Sequence, residues 1–207
     1  MKRQRLTREQ SKDQTRLRLL DAAQAIFMKK GFVAASVEDI AEAAGYTRGA
    51  FYSNFRSKPE LFLELLRRDH ETMKAGLQSI FDDGLTREEM EARVLTYYSN
   101  LHRENKCFLL WMEAKLLAAR DARFRVRFNA FLHEKLEEMS AYISEFSARA
   151  GTPLPLPAET LAIGLMGLCD GVQFFYTTDP QNVSAQTTES VLAGFFARVV
   201  FGRGVQQ

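Results

Sequence analysis

Apolar residues recur along this chain at helical spacing. Val37, Ile40, Ala41 and Ala44 form one stripe, Met90, Val94, Tyr97 and Leu101 a second, and Phe124, Phe128, Phe131 and Leu132 a third; steps of three and four residues place such side chains on one face of a helix. No segment carries the strict alternation of a half-buried strand. Prolines gather in GTPLPLP (Pro153, Pro155, Pro157) and TTDPQN (Pro180), which read as loops. Helix starts are marked where a hydroxyl precedes a carboxylate by three positions, at Ser36 and Asp39, Ser57 and Glu60, and Thr86 and Glu89. At that spacing the two side chains satisfy orphan N–H groups reciprocally. These signals predict an all-α fold with helices over 12–30, 37–44, 48–55, 58–80, 87–104, 106–119, 122–149, 158–177 and 186–201.

Composition adds one thing to this pattern. Across 207 residues, 46% are hydrophobic, enough to bury a sizeable core. The formal net charge of +2 conceals an uneven distribution: residues 1–58 hold 12 Lys/Arg against 6 Asp/Glu, a local charge of +6, and the remainder carries −4. Positive charge gathered at one end suits a polyanion, because neutralised phosphates release counterions; from charge alone a solvated basic face is the alternative. Cys107 and Cys169 are too few and too far apart for a disulfide framework or a zinc site. The opening MKRQRLTREQSKDQTR is charged but lacks the apolar stretch of a secretory signal. No apolar run reaches the roughly 18 residues of a membrane span. The expectation is a cytoplasmic protein with no membrane partner.

The informative stretch is Ser36 to Lys58, SVEDIAEAAGYTRGAFYSNFRSK. A helix from Val37 to Ala44 ends at Gly45, the residue type best suited to a left-handed position after a helix. Two residues on, Thr47 can cap a second helix whose first turn is Arg48, Gly49 and Ala50. Two short helices joined by a Gly-containing turn make a helix-turn-helix. Phe27, Ile40, Phe51 and Phe55 fill the small core, leaving Arg48, Tyr52 and Asn54 on an exposed face. Arg48 sits where a recognition helix aims side chains at base edges, and its guanidinium can reach guanine O6 and N7 together. Gly49 leaves room for close approach, while Tyr52 and Lys58 suit phosphate oxygens. Ser36 and Thr47 stand beside helix N-termini, which favour anions. Lys2, Arg3, Arg5 and Arg8 form a basic arm for backbone or minor-groove contact. An ordinary helical corner, with Tyr52 in the core, is the bland alternative.

On these residues the run LLDAAQAIFMKKGFVAASVEDIAEAAGYTRGAFYSNFRSKPELF resembles the DNA-binding domain of the TetR (tetracycline repressor) family of bacterial regulators. Its marks are the paired Ala22 and Ala23 before Phe27, the Gly31–Phe32 turn, the Ile40–Ala41 pair, and AGYTRGAFYSNFRSKPEL, similar to the family's turn, recognition helix and entry to the fourth helix. The resemblance implies a three-helix DNA-binding domain over 1–57 and a helical ligand-binding and dimerisation domain over 58–207. It further implies that Ser36, Thr47, Arg48, Tyr52, Asn54 and Lys58 face DNA. Asn54 stands where the family more often has His or Tyr.

Beyond residue 80 the resemblance is looser, and the family architecture implies a small-molecule pocket between the middle helices and a dimer interface on the last two. Helix 158–177 is apolar around most of its circumference, with Gly164, Gly167 and Gly171 allowing close approach, and such a helix must be buried on all sides. Helix 186–201 shows Val191, Leu192, Phe195, Phe196, Val199 and Val200, too broad a stripe for one neighbour. Two helices from each subunit would make an intersubunit four-helix bundle over 158–201; an intramolecular core is the alternative. Phe108, Trp111, Met112, Phe128, Phe131 and Phe174 are candidate walls of an apolar effector pocket, Trp111 because an indole seldom packs fully without placing its N–H, and Asp170 is a candidate polar anchor within it; plain core for the aromatics and a satisfied helix-packing or interface acid for Asp170 are the alternatives.

No phosphate loop, dinucleotide fingerprint or metal-spaced cluster occurs, and His70, His102 and His133 stand alone. No cofactor, no metal and no enzyme activity are expected. The leading reading is an effector-released repressor on an inverted-repeat operator. The alternatives are a small-molecule-binding protein or helical enzyme whose N-terminal helices are structural, or a regulator without a ligand.

Overall fold

The structure is a computed structural model describing residues 7–81, 85–104 and 107–200. Among them every regular element is helical: α1 (Arg8–Ala34), α2 (Val37–Ala43), α3 (Arg48–Asn54), α4 (Lys58–Gln78), α5 (Arg87–Glu104), α6 (Phe108–Arg120), α7 (Ala122–Ala150), α8 (Ala158–Thr178) and α9 (Ala185–Phe195). A 3-10 turn, Ser79–Phe81, follows α4, and a π-helical turn, Phe196–Val200, continues α9. None of these helices is long and apolar enough to cross a membrane.

The local rules that predict helix starts act as written at two sites. Ser36 and Asp39 exchange their side-chain and backbone bonds at the head of α2, and Thr86 and Glu89 do the same ahead of α5. At the third, Ser57 accepts from the Glu60 amide, but the Glu60 carboxylate takes the Arg56 amide. The Gly45 prediction is met in detail: φ is +74°, Gly45 N–H donates to the Glu42 carbonyl and Tyr46 N–H to that of Ala41. This double bond satisfies carbonyls that the end of α2 leaves open.

Two elements differ from the predicted spans. α1 starts earlier, at Arg8, because Thr7 and Gln10 form a further reciprocal cap. It also runs past residue 30 through a break at Gly31, whose φ of +80° is a left-handed value. Instead of one helix over 186–201, α-helical bonding in α9 stops at Phe195 and widens; residue 201 lies outside the described residues.

The chain divides into two compact units. One comprises residues 1–71 and 107–128, the other 72–106 and 129–207. In the first, α1, α2 and α3 close over Leu19, Phe27, Ile40, Phe51 and Phe55, all essentially buried. Phe62 of α4 stacks on Phe32 at 4.5 Å and meets Phe27 edge-on at 5.3 Å, joining α4 to that core. α6 also belongs here, although about 50 residues separate it from the helix-turn-helix in sequence. In the second unit, Leu77, Ile80, Met90, Val94, Tyr98, Phe146, Leu165, Leu192 and Phe196 form the main core, with a satellite around Ile143, Leu161 and Ala162.

Candidate nucleic-acid interface

Helix α3 has seven residues, too few to persist alone in water, so its position is set by what grips it. Thr47 Oγ1 accepts from the Ala50 amide at its start. At its end Arg16 of α1 donates from Nη1 to the Asn54 carbonyl at 2.7 Å, lies 4.2 Å above the Phe55 ring, and pairs through Nη2 with Glu64 of α4. One guanidinium therefore ties the C-terminus of α3 to α1 and α4. Phe51 is fully buried beneath. Arg48, Gly49, Tyr52 and Ser53 occupy the opposite, exposed face.

On that face the Arg48 side chain is 65% exposed; its Nη1 lies 3.0 Å from Glu38 Oε1 of α2, and its Cζ is 5.6 Å from the centre of the Tyr52 ring. A bond with Tyr52 and the charge of Glu38 both favour the guanidinium and push Arg48 above its usual range. Gly49 has open space around it, the nearest atom to an added Cβ being Thr47 Oγ1 at 3.7 Å.

Ser36 is half-buried and engaged as the α2 cap. Its Oγ donates to Asp39 Oδ2, which also accepts from the Ser36 amide and from Lys30 Nζ. Lys30 and the Ser36 bonds hold the Asp39 carboxyl far below the usual carboxylate range.

Two predicted contacts are placed otherwise. Lys58 is not a free surface cation: its Nζ donates to the carbonyls of Phe32 at 2.7 Å, Val33 at 3.4 Å and Ala35 at 2.6 Å, and lies 4.4 Å above the Phe32 ring. A Lys has three donors, and these contacts engage all three with carbonyls at the C-terminal end of α1. Burial pushes this ammonium down from its usual value, against the nearby Asp39 and Glu113. Asn54 is half-buried and turned back on its own helix, Nδ2 donating to the Ala50 carbonyl at 2.8 Å. Its Oδ1 is buried with no hydrogen-bond partner. Of the basic arm, Lys2, Arg3 and Arg5 lie outside the described residues.

Sequence reasoning missed Arg16, Glu38 and Glu113. Glu113 of α6 accepts the Phe32 amide at 2.5 Å, taking the N–H that the break at Gly31 leaves open. A Cβ at Gly31 would come within 2.7 Å of Glu113 Oε1, so this glycine serves the backbone turn and leaves room for the carboxylate that takes the Phe32 amide.

The seven predicted effector residues are divided between the two units. Phe108, Trp111, Met112 and Phe128 belong to the first unit, and Phe131, Asp170 and Phe174 to the second. Trp111 Nε1 donates to Asp69 Oδ2 at 2.7 Å, which meets the need that singles it out in the sequence. Phe108, Phe128 and Phe131 are buried, Asp170 is half-buried and Phe174 is exposed. None of them lines the apolar cavity of about 30 Å³ in the second unit, walled by Tyr98, Tyr142, Phe146, Leu165 and Phe196.

A capped, seven-residue helix presenting an arginine and a tyrosine from a three-helix base, joined to a larger helical body, is the architecture of a DNA-binding transcriptional regulator. The tetR family of bacterial regulatory proteins matches residues 19–65. The repressor KstR2 of Rhodococcus jostii is 30% identical over 139 residues, which are 66% of this chain and 67% of that protein. TtgR of Pseudomonas putida is 44% identical over 68 residues, 33% of this chain, so the match spans only about a third of that relative's length (32%). In fold, the structure of SmeT, the repressor of a multidrug efflux pump of Stenotrophomonas maltophilia, superposes with a TM-score of 0.65 at 22% identity over 89% of this chain and 90% of that one. A complex of SmeT with triclosan gives 0.70 at 22% over 90% and 91%. The chain belongs to the TetR family of transcriptional regulators. Its relatives are regulators, not enzymes.

Proposed function

We propose that this regulator is a homodimeric repressor that reads an inverted repeat through α3 and leaves it on binding a small apolar or aromatic effector. The observation that carries the reading is α3 itself, fixed at both ends with Arg48 and Tyr52 outward. Arg48 is the base-reading side chain, Tyr52 and Thr47 contact phosphate, and Gly49 permits close approach. Ser36, Asn54 and Lys58 act mainly by fixing the helices that present these groups. The functional boundary is taken to fall between residues 57 and 58, with sensing and dimerisation over 58–207.

Support for the dimer comes from α8 and α9. Ile163, Phe174 and Phe175 of α8 and Val191 of α9 are exposed large apolar side chains. A Cβ added at Gly164, Gly167, Gly171 or Gly194 would meet nothing within 4 Å, so no packing within the protomer requires these glycines. A smooth apolar face is what close helix–helix contact between subunits needs. Phe195 and Val199, which the sequence suggests for this face, are half-buried against the protomer's own cores.

The effector class rests on the aromatic stretch around Trp111 and Phe128, and on the aromatic ligand of the SmeT complex. The apolar cavity in the second unit has room for about one water, so an effector of drug size needs another site or an opened one. The test begins with duplexes selected from a random pool by the purified protein. Arg48→Ala is expected to reduce discrimination between selected and scrambled duplexes about tenfold or more, the size of a bidentate base contact. Unchanged discrimination would remove α3 as the reading helix. Hydrophobic compounds that release the selected duplex should change Trp111 fluorescence over the same concentration range, and DNA should weaken their binding by the same factor.

A further inference from the structure

We propose that Glu38 is a specificity-determining residue: it orients Arg48 through Nη1, so the guanidinium meets a base edge while still paired and must leave the carboxylate to follow a phosphate. This rests on the reading of Arg48 as the base-reading side chain.

Glu38 lies in the first turn of α2 and Arg48 opens α3, so the two helix starts bring carboxylate and guanidinium together at 3.0 Å across the turn. The Arg48 and Glu38 side chains are 65% and 56% exposed. By contrast Lys30–Asp39 braces a helix cap, and Arg16 of Arg16–Glu64 also holds the end of α3. An exposed pair contributes little to folding, and this one touches no such structural feature. Its place is the face that meets DNA.

The consequence follows from exchanging one partner for another. An unpaired Arg at this position would bind any phosphate and tighten association with every sequence through counterion release. With Glu38 present, a phosphate out of line with the pair only replaces one anionic oxygen by another, and the freed carboxylate is left close to a polyanion. A guanine in line with the pair is met by the Nη2 and Nε donors while Nη1 stays on Glu38, so that loss is not incurred. Random contacts are thus penalised more than the correct one, the kind of difference on which discrimination depends. The Tyr52 ring beside the guanidinium limits where it can swing.

The experiment measures binding of the full chain to a duplex selected by the wild-type protein and to a scrambled duplex of equal length. The proteins are wild type, Glu38→Gln, Arg48→Ala and the double variant. Glu42→Gln serves as control, since Glu42 is exposed on the same helix and its loss changes the charge equally. Glu38→Gln is expected to tighten the scrambled duplex about two- to fivefold, the range open to an exposed ion pair, and to leave the selected duplex within about twofold. The gain should vanish in the Arg48→Ala background and be absent from Glu42→Gln. A gain that persists without Arg48, or that Glu42→Gln reproduces, is general repulsion and overturns the proposal. So does weaker binding of the selected duplex by Glu38→Gln, which would make the carboxylate a direct contact, as to cytosine N4. Arg48→Ala with unchanged discrimination overturns both this proposal and the reading of Arg48. A failure confined to the Glu38 variants overturns this proposal alone.

Discussion

Helices α3 and α8 are completed in opposite ways. α3 is short and contributes one fully buried large side chain, Phe51, yet everything that fixes it lies within the protomer: the Thr47 cap, the Arg16 clamp and the aromatic floor. Its free face is polar and small. α8 is three times as long, with no side-chain cap at its start. It buries Leu161, Ala162 and Leu165 on one side and leaves Ile163, Phe174 and Phe175 uncovered on the other. A helix complete in itself can offer its exposed groups to a transient partner such as DNA. A helix with apolar surface left over suits a lasting one. On the function proposed above, the contrast assigns DNA to α3 and a second subunit to α8.

The strongest way to break this comparison is to charge the uncovered face. Ile163→Glu with Phe175→Glu is expected to yield a folded monomer at micromolar concentration by sedimentation. Affinity for the selected duplex should fall at least about a hundredfold, because two half-sites would no longer be bound by one linked particle. An unchanged dimer would place the interface elsewhere.

Next in size is the floor of α3. Phe51→Ala removes a fully buried ring and is expected to cost about 3–5 kcal/mol in urea unfolding. Phe174→Ala on the exposed side of α8 should stay within about 0.5 kcal/mol in an isolated protomer. A large loss at Phe174 under dissociating conditions would show that α8 is already covered within the subunit.

Lys58 tests whether the first unit is held by sequence-local or distant contacts. Lys58→Met keeps an apolar stem over Phe32 and removes the donors to three carbonyls, with an expected loss of about 1–3 kcal/mol. A variant of wild-type stability with weaker DNA binding would return Lys58 to the role of a phosphate contact.

The same residue shows where legibility ends. Helix starts at Ser36, Thr47 and Thr86 and the stop at Gly45 were readable because capping acts within a few residues. The core positions Phe27, Ile40, Phe51 and Phe55 are the large apolar residues that two short helices and the first can share, and all four are buried. The contacts that aim α3 do not act locally: Arg16 reaches Asn54 across 38 positions, Lys58 reaches Ala35 across 23, and Glu113 reaches Phe32 across 81. Nothing in the spacing of those residues links them. Trp111 shows the same limit: a buried indole needs a partner for its N–H, and the one it has, Asp69, lies 42 positions away.

The smallest expected effect concerns Asp39, where Lys30 and Ser36 hold the carboxyl far below its ordinary value of 3.8. A carboxylate whose folded pKa is depressed adds stability that is present above the unfolded value and is lost as pH falls toward the folded one. The wild type should therefore lose thermal stability progressively below about pH 4 through this group. Asp39→Asn retains an acceptor for the Ser36 amide but not the charge facing Lys30. Its melting temperature should lie slightly below wild type at pH 7, and the two should converge as the pH is lowered. Because the Lys30–Asp39 pair is about one-third exposed on each side chain, added salt should also narrow the gap. Melting curves for both proteins between pH 7 and pH 2 would decide it. A gap that stays constant through that range would mean that Asp39 supports α2 by its cap geometry alone, with no contribution from its charge.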